Sequence, residues 1–220
     1  MNKSGAKRKP LHIEAVIDGA VRLADQHGVE PLTIRKLATH LGVKPMAIYH
    51  HVSGKEAILD GMVDRVFSEI ELPPDDVDWR TGMRVRAHSA RAVFARHHWA
   101  ASMMDSRNTP GPATLRHHDA VLRCLRSGLS LTMAAHAYAL IDAFIFGFAL
   151  TEAALPAEND EELTELATDI LDGFEEDAYP HLTELTVNHI LQPGYSFGAE
   201  FDFGLDLILE GLASTAQRKA

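Results

Sequence analysis

One short stretch constrains this chain more than any other: Leu32 to Lys55, LTIRKLATHLGVKPMAIYHHVSGK. Ile34, Leu37, Ala38 and Leu41 fall on one face of a short helix that Thr33 can N-cap. Gly42 stops it, because glycine takes the left-handed C-cap conformation at little cost. Pro45 is pre-shaped for the first turn of a second short helix, whose inward residues are Ile48 and Val52. Ser53-Gly54 then breaks the chain again. A turn this tight is too short for antiparallel packing, so the two helices must cross, and Ala38 supplies the small residue the crossing needs. The result is a helix-turn-helix. Its second helix leaves an outer face free, on or near which stand Met46, Ala47, Tyr49, His50 and His51. Such a face suits the major groove of DNA.

The rest of the chain keeps a helical rhythm. Ile13, Val16, Ala20, Val21 and Ala24 precede a stop at Gly28. Lys55 to Ile70 reads as a longer helix with Ile58, Met62, Val66 and Ile70 inward, and Pro73 to Asp78 as a polar joint. Trp79 to about Trp99 follows, with Met83, Ala87, Ala90 and Phe94 in register, then a loop from Arg107 to Pro112 and a helix from Leu115 to Leu125. Leu131 to Ala154 is apolar nearly all round and rich in small residues. Glu158 to Asp177 holds ten acids and no base, yet keeps a helical spacing, which predicts an exposed acidic helix. Another helix is expected from His181 to Leu191. A final one carries one stripe through Phe201, Leu205, Ile208 and Leu212 and a second through Phe203, Leu207 and Gly211. The predicted fold is all-α. An N-terminal three-helix bundle with the helix-turn-helix (residues 1–56) precedes a larger helical ligand-binding and dimerisation domain (residues 57–220).

Charge separates these parts. The net charge of -10 argues against a phosphate partner when taken alone. Residues 1–55, however, hold nine Lys/Arg against four Asp/Glu, a balance of +5, and residues 56–220 carry -15. A basic module on an acidic body is the reading this supports. The single cysteine excludes a disulfide scaffold, and no Cys/His spacing fits structural zinc. No apolar signal core follows the basic start MNKSGAKRKP, so a cytoplasmic protein is expected. That start, with Lys3, Lys7, Arg8 and Lys9, is either a solubilising tail or an arm on the DNA.

The 13 histidines invite metal readings, densest at His97-His98 and His117-His118-Asp119. Neighbours on a helix point about 100° apart and rarely share an ion, so no metal and no cofactor are expected. Leu131 to Ala154 is long enough for a membrane span, but Asp142 and His136 lie inside it, which favours a soluble helix with two buried faces. Phe94, Trp99, Met103, Met104, Tyr138, Phe144 and Phe148 are either plain core or the wall of an apolar cavity anchored by His88, His117 and Asp142. No nucleophile–base pair or phosphate loop can be placed, so no enzyme is expected.

Leu32-Thr33, Arg35, Leu37-Ala38, Leu41-Gly42-Val43, Ile48-Tyr49, His51-Val52 and Lys55 closely resemble the DNA-binding domain of the tetracycline-repressor (TetR) family of bacterial transcription regulators. Trp79, Gly128-Leu129-Ser130 and Phe201-Asp202-Phe203-Gly204-Leu205 resemble the tetracycline-repressor branch. The resemblance implies a homodimer that binds a palindromic DNA operator and is released by a small apolar or amphipathic ligand. The helices near residues 131–154 and 200–215 would form the dimer interface. Arg35 would reach a guanine edge, while Thr33, Tyr49 and Lys55 would hold phosphates. Pro45, Met46 and Ala47 would meet bases, through thymine methyls rather than hydrogen bonds, and His51 matches a DNA-contacting histidine of the family. Lys44 and His50 complete the expected DNA-binding set. Where tetracycline-binding members use a histidine to organise a magnesium–drug complex, this sequence has Met103-Met104. The rival reading keeps the DNA head but makes the body a partner-regulated or architectural module.

Overall fold

The computed structural model describes residues 11–107, 109–156, 159–175 and 178–219. The basic start (Lys3, Lys7, Arg8, Lys9) and the acids Glu158, Glu176 and Asp177 lie outside them. Every regular element among the described residues is helical, as the periodicity predicts. They cluster into two compact units, one ending at Gly128 and one beginning at Leu129.

In the first unit, α1 (Ile13–His27) opens on His12, whose ring accepts the Ala15 N–H at 3.2 Å. It buries Val16, Ala20 and Ala24 and ends at Gly28, φ 77°. Then come α2 (Ile34–Leu41), α3 (Pro45–Tyr49) and α4 (Lys55–Phe67). α1 packs on both α2 and α4. The approach is close enough that a Cβ at Gly19 would stand 2.6 Å from Leu41 Cδ2, and one at Gly61 2.5 Å from Ile17 Cδ1. α4 stops at Phe67, short of Ile70, because Ser68 Oγ turns back to donate to the Arg65 carbonyl at 2.6 Å. Ile70 stays buried all the same.

α5 (Trp79–Arg96) is N-capped by Asp78, which accepts the Arg80 and Thr81 N–H groups. It ends before Trp99, and a 3-10 turn at Ala101–Ser106 follows where no helix was expected. α6 (Pro112–Arg126) starts a turn earlier than Leu115. Pro112 suits its first turn, and Asp64 on α4 takes the Thr114 N–H at 2.8 Å.

The second unit holds α7 (Leu131–Ala153), α8 (Asp160–Asp172), α9 (Pro180–Leu185), a π turn at Thr186–Ile190 and α10 (Phe197–Lys219). α7 and α10 pack on each other, with Phe144 stacked 5.3 Å from Phe201 and Phe148 stacked 5.0 Å from Phe197. α8 buries no residue, as its acidity predicts. α7 is long and apolar enough to cross a membrane by length and composition. One of its faces is buried, Asp142 included. The other, expected to be buried too, is exposed in this chain at Leu131 (69%), Leu140 (47%) and Leu150 (44%). The second stripe of α10 is likewise exposed at Phe203 (69%) and Leu207 (62%).

Candidate nucleic-acid interface

The helix-turn-helix is built by its caps. Thr33 Oγ1 accepts the Lys36 N–H at 3.2 Å and starts α2. Capping uses a lone pair and leaves the hydroxyl hydrogen free to donate elsewhere. Gly42 ends α2 at φ 65°, and the Val43 N–H returns to the Ala38 carbonyl at 2.9 Å. Pro45 begins α3, and the His51 and Val52 N–H groups both close on the Ile48 carbonyl. Leu37, Ala38, Ile48 and Val52 are buried and fix the crossing of α2 and α3. Burying each larger side chain contributes roughly 1.5–3 kcal/mol.

What these anchors leave outside is the candidate interface. Thr33, Arg35, Lys44, Pro45, Met46, Tyr49, His50 and Lys55 are exposed, and Ala47 and His51 are half-buried. Met46 and Tyr49 are 65% and 49% exposed, although both are large side chains that a core would bury. No acid occurs between Pro31 and Lys55, so no acid within the stretch cancels Arg35, Lys36 and Lys44. Lys36, exposed beside Arg35, was not among the expected contacts, and its position on the outer face of α2 is the signal that finds it. An open groove of about 690 Å³ runs past Leu23, His27, Arg35, Lys36, Thr39 and His40.

The expected ligand-binding residues divide. His88 lies on the exposed side of α5, whereas Phe94, Trp99, Met103 and Met104 are buried. Trp99 donates its indole N–H to Asp25 Oδ1 at 2.8 Å. Tyr138, Phe144 and Phe148 are half-buried on α7, and Asp142 is buried there. His117 is fully buried against Phe67, ring centroids 5.1 Å apart. Its Nε2 accepts a hydrogen bond from Arg86 Nε at 3.3 Å, a buried arginine on the face of α5 where periodicity expects an apolar residue. Burial, then the Arg86 charge, push the His117 imidazole down to about 3, so it is neutral. With Nε2 accepting, the proton sits on Nδ1, which finds no acceptor among the described residues. Of the pair just past the end of α5, His97 is buried and His98 exposed.

Two family models match the chain. Residues 16–62 match the family model for bacterial regulatory proteins, tetR family, and residues 72–216 that for the tetracyclin repressor-like C-terminal domain. The chain is 31% identical over 230 aligned positions to the HTH-type transcriptional repressor DrrR1 of Streptomyces coeruleorubidus, spanning 98% of this chain and 83% of that protein. It is 30% identical to the class C tetracycline repressor protein of Escherichia coli, spanning 92% and 90%. Apo ActR from Streptomyces coelicolor superposes with a TM-score of 0.79 at 25% identity, covering 96% of this chain and 99% of that one. ActR has also been solved in complex with actinorhodin, with the same TM-score of 0.79.

Proposed function

The chain belongs to the tetR family of bacterial regulatory proteins, and from that premise we propose that it is a homodimeric repressor released from a palindromic operator by a small amphipathic molecule. The observation that carries this reading is the acid-free outer face of α2 and α3, held outward by the buried Leu37, Ala38, Ile48 and Val52. In it, Arg35 reads a guanine through a bidentate contact. Pro45, Met46 and Ala47 touch thymine methyls. Thr33, Lys44, Tyr49, His50, His51 and Lys55 fix the head on the backbone, Thr33 through the hydroxyl hydrogen its cap leaves free. The head comprises residues 1–56 and the body residues 57–220.

The exposed stripes of α7 and α10 support dimerisation. Leu131, Leu140, Leu150, Phe203 and Leu207 leave more apolar surface in water than a monomer tolerates well. A second copy supplies the same surface about a twofold axis and sets two heads for successive half-sites. The relatives named for tetracycline, and ActR with its bound actinorhodin, support an effector site in the body. We assign that site in this chain to Phe94, Met103, Met104 and His117, all of them buried. An effector weakens DNA binding only by as much as it prefers the non-binding shape. The protein works in the bacterial cytoplasm, on the nucleoid when bound.

Selection from a random-sequence duplex pool by the full-length protein tests the reading. A palindromic consensus, bound more weakly when an amphipathic aromatic compound from a screened panel is added, is the expected outcome. Equal retention of every duplex would overturn sequence-specific repression. A consensus that no compound releases would instead favour a partner-regulated factor.

A further inference from the structure

Three helix ends meet at one histidine. His97 closes α5, its N–H bonded to the Val93 and Phe94 carbonyls, and its side chain is 9% exposed. Nδ1 lies 2.8 Å from Asp25 Oδ1, in the last turn of α1. Nε2 lies 3.2 Å from Glu69 Oε2, just past the end of α4. The same Asp25 oxygen accepts the Trp99 indole N–H at 2.8 Å. Glu69 also receives Arg96 at 3.1 Å and Arg65 at 3.7 Å, and Arg65 returns to α1 through Asp18 at 3.1 Å. The charges around the ring are therefore Asp25 from α1, Glu69 and Arg65 from α4 and its exit, and Arg96 from α5.

A neutral imidazole has one N–H and one lone pair, so it can donate to only one of two carboxylates and turns its lone pair on the other. Only the imidazolium donates to both Asp25 and Glu69. The negative ends of the helix dipoles of α1, α4 and α5 favour the same cation. Burial works against an ionised Glu69, yet hydrogen bonds from His97 and Arg96 hold its carboxyl below the usual range, so it meets the ring as a carboxylate. Asp25 stands within a turn of Gly28, where the chain leaves α1 for Thr33 and α2. The end of α1 thus sets where the helix-turn-helix begins.

We propose that His97 is a positioning residue for DNA binding: as an imidazolium bridging Asp25 and Glu69, it fixes the end of α1 that leads into the helix-turn-helix. This inference rests on the operator reading above. An imidazole with a single N–H holds only one of the two carboxylates, so the bridge, and with it operator affinity, weakens in the neutral form.

The test uses the full-length protein and the duplex enriched from the random pool, with affinity measured from about pH 6 to about pH 8.5. His97→Gln should bind about tenfold more weakly than the parent at the acid end, the worth of one charge-assisted hydrogen bond, and equally at the alkaline end. Every other histidine is common to both proteins, so the ratio isolates His97. Parallel profiles would overturn the role of His97 alone, whereas failure to enrich any duplex would remove the operator reading and this role with it. Should His97→Gln not fold, Asp25→Asn keeps an acceptor but removes its charge and should move the parent profile to lower pH; an unmoved profile overturns the proposal. Long-range proton–nitrogen spectra of the free protein decide the bridge without DNA. Two ring N–H groups on His97 at neutral pH support it, and one overturns it.

Discussion

Arg35 stands exposed on the first turn of α2 with no acid between Pro31 and Lys55 to pair with it. Its guanidinium is free for a base edge, so Arg35→Ala should weaken operator binding by about 1–3 kcal/mol and relax preference at one base pair per half-site. Binding to a set of singly substituted duplexes checks this; unchanged preference at every position would disprove the assignment. His117 obeys a different logic. Its imidazole is held down at about 3 in the folded chain, against about 6.5 when unfolded, so the unfolded state takes up the proton first. The stabilising effect is complete above about pH 6.5 and is lost on acidification at up to about 1.4 kcal/mol per pH unit, levelling off near pH 3. Urea melts at pH 7, 6 and 5 should therefore show a shallower decline for His117→Gln than for the parent. Arg35 was legible in the sequence because a basic residue on an outer face breaks no pattern. Arg86 was not: it lies on the buried side of α5 with Met83, Ala87 and Ala90, where periodicity expects an apolar residue.

At the scale of elements, α4 links most of the first unit, since α1 packs on one side of it and α6 on another. Glu56, Asp60 and Asp64 form an acidic row along it at successive turns. Arg107 donates to Asp60 at 2.7 Å and to Glu56 at 2.8 Å, and Asp64 takes both the N–H and the hydroxyl of Thr114, at 2.8 and 2.9 Å. The two arms of Arg107 are unequal, because the Glu56 side chain is 76% exposed and that of Asp60 24%. Asp60→Asn should cost about 1–2 kcal/mol in thermal or urea unfolding and Glu56→Gln less than about 0.5 kcal/mol. Equal losses would show that water screens both arms alike. Helix limits were legible wherever the terminating chemistry is local, as at Thr33, Gly42 and Pro45. The 3-10 turn at Ala101–Ser106 and the π turn at Thr186–Ile190 carry no such local signal, and the early start of α6 depends on Asp64, far away in sequence.

For the whole molecule, the net charge of -10 is the sum of a basic front and an acidic remainder, and two consequences can be measured. If two copies join through the exposed stripes of α7 and α10, a charge placed there is costly in the dimer and harmless in the monomer. Leu207→Glu should leave the helical spectrum intact, give a monomer by sedimentation at micromolar concentration, and weaken operator binding by about tenfold or more. A persistent dimer would move the interface elsewhere. The second consequence concerns salt. Each phosphate neutralised by a cation releases counterions, and log affinity falls with log salt at about 0.9 per contact. The acidic residues of α8 release none, so the slope belongs to the basic heads. In such a dimer Lys55→Gln removes one cation from each of two heads and should therefore flatten the slope by about 1.8. Glu165→Gln on the exposed face of α8 should raise affinity slightly at low salt, by easing repulsion, while leaving the slope as it was. A slope that responds to Glu165 and not to Lys55 would mean that the nucleic acid is held by another surface.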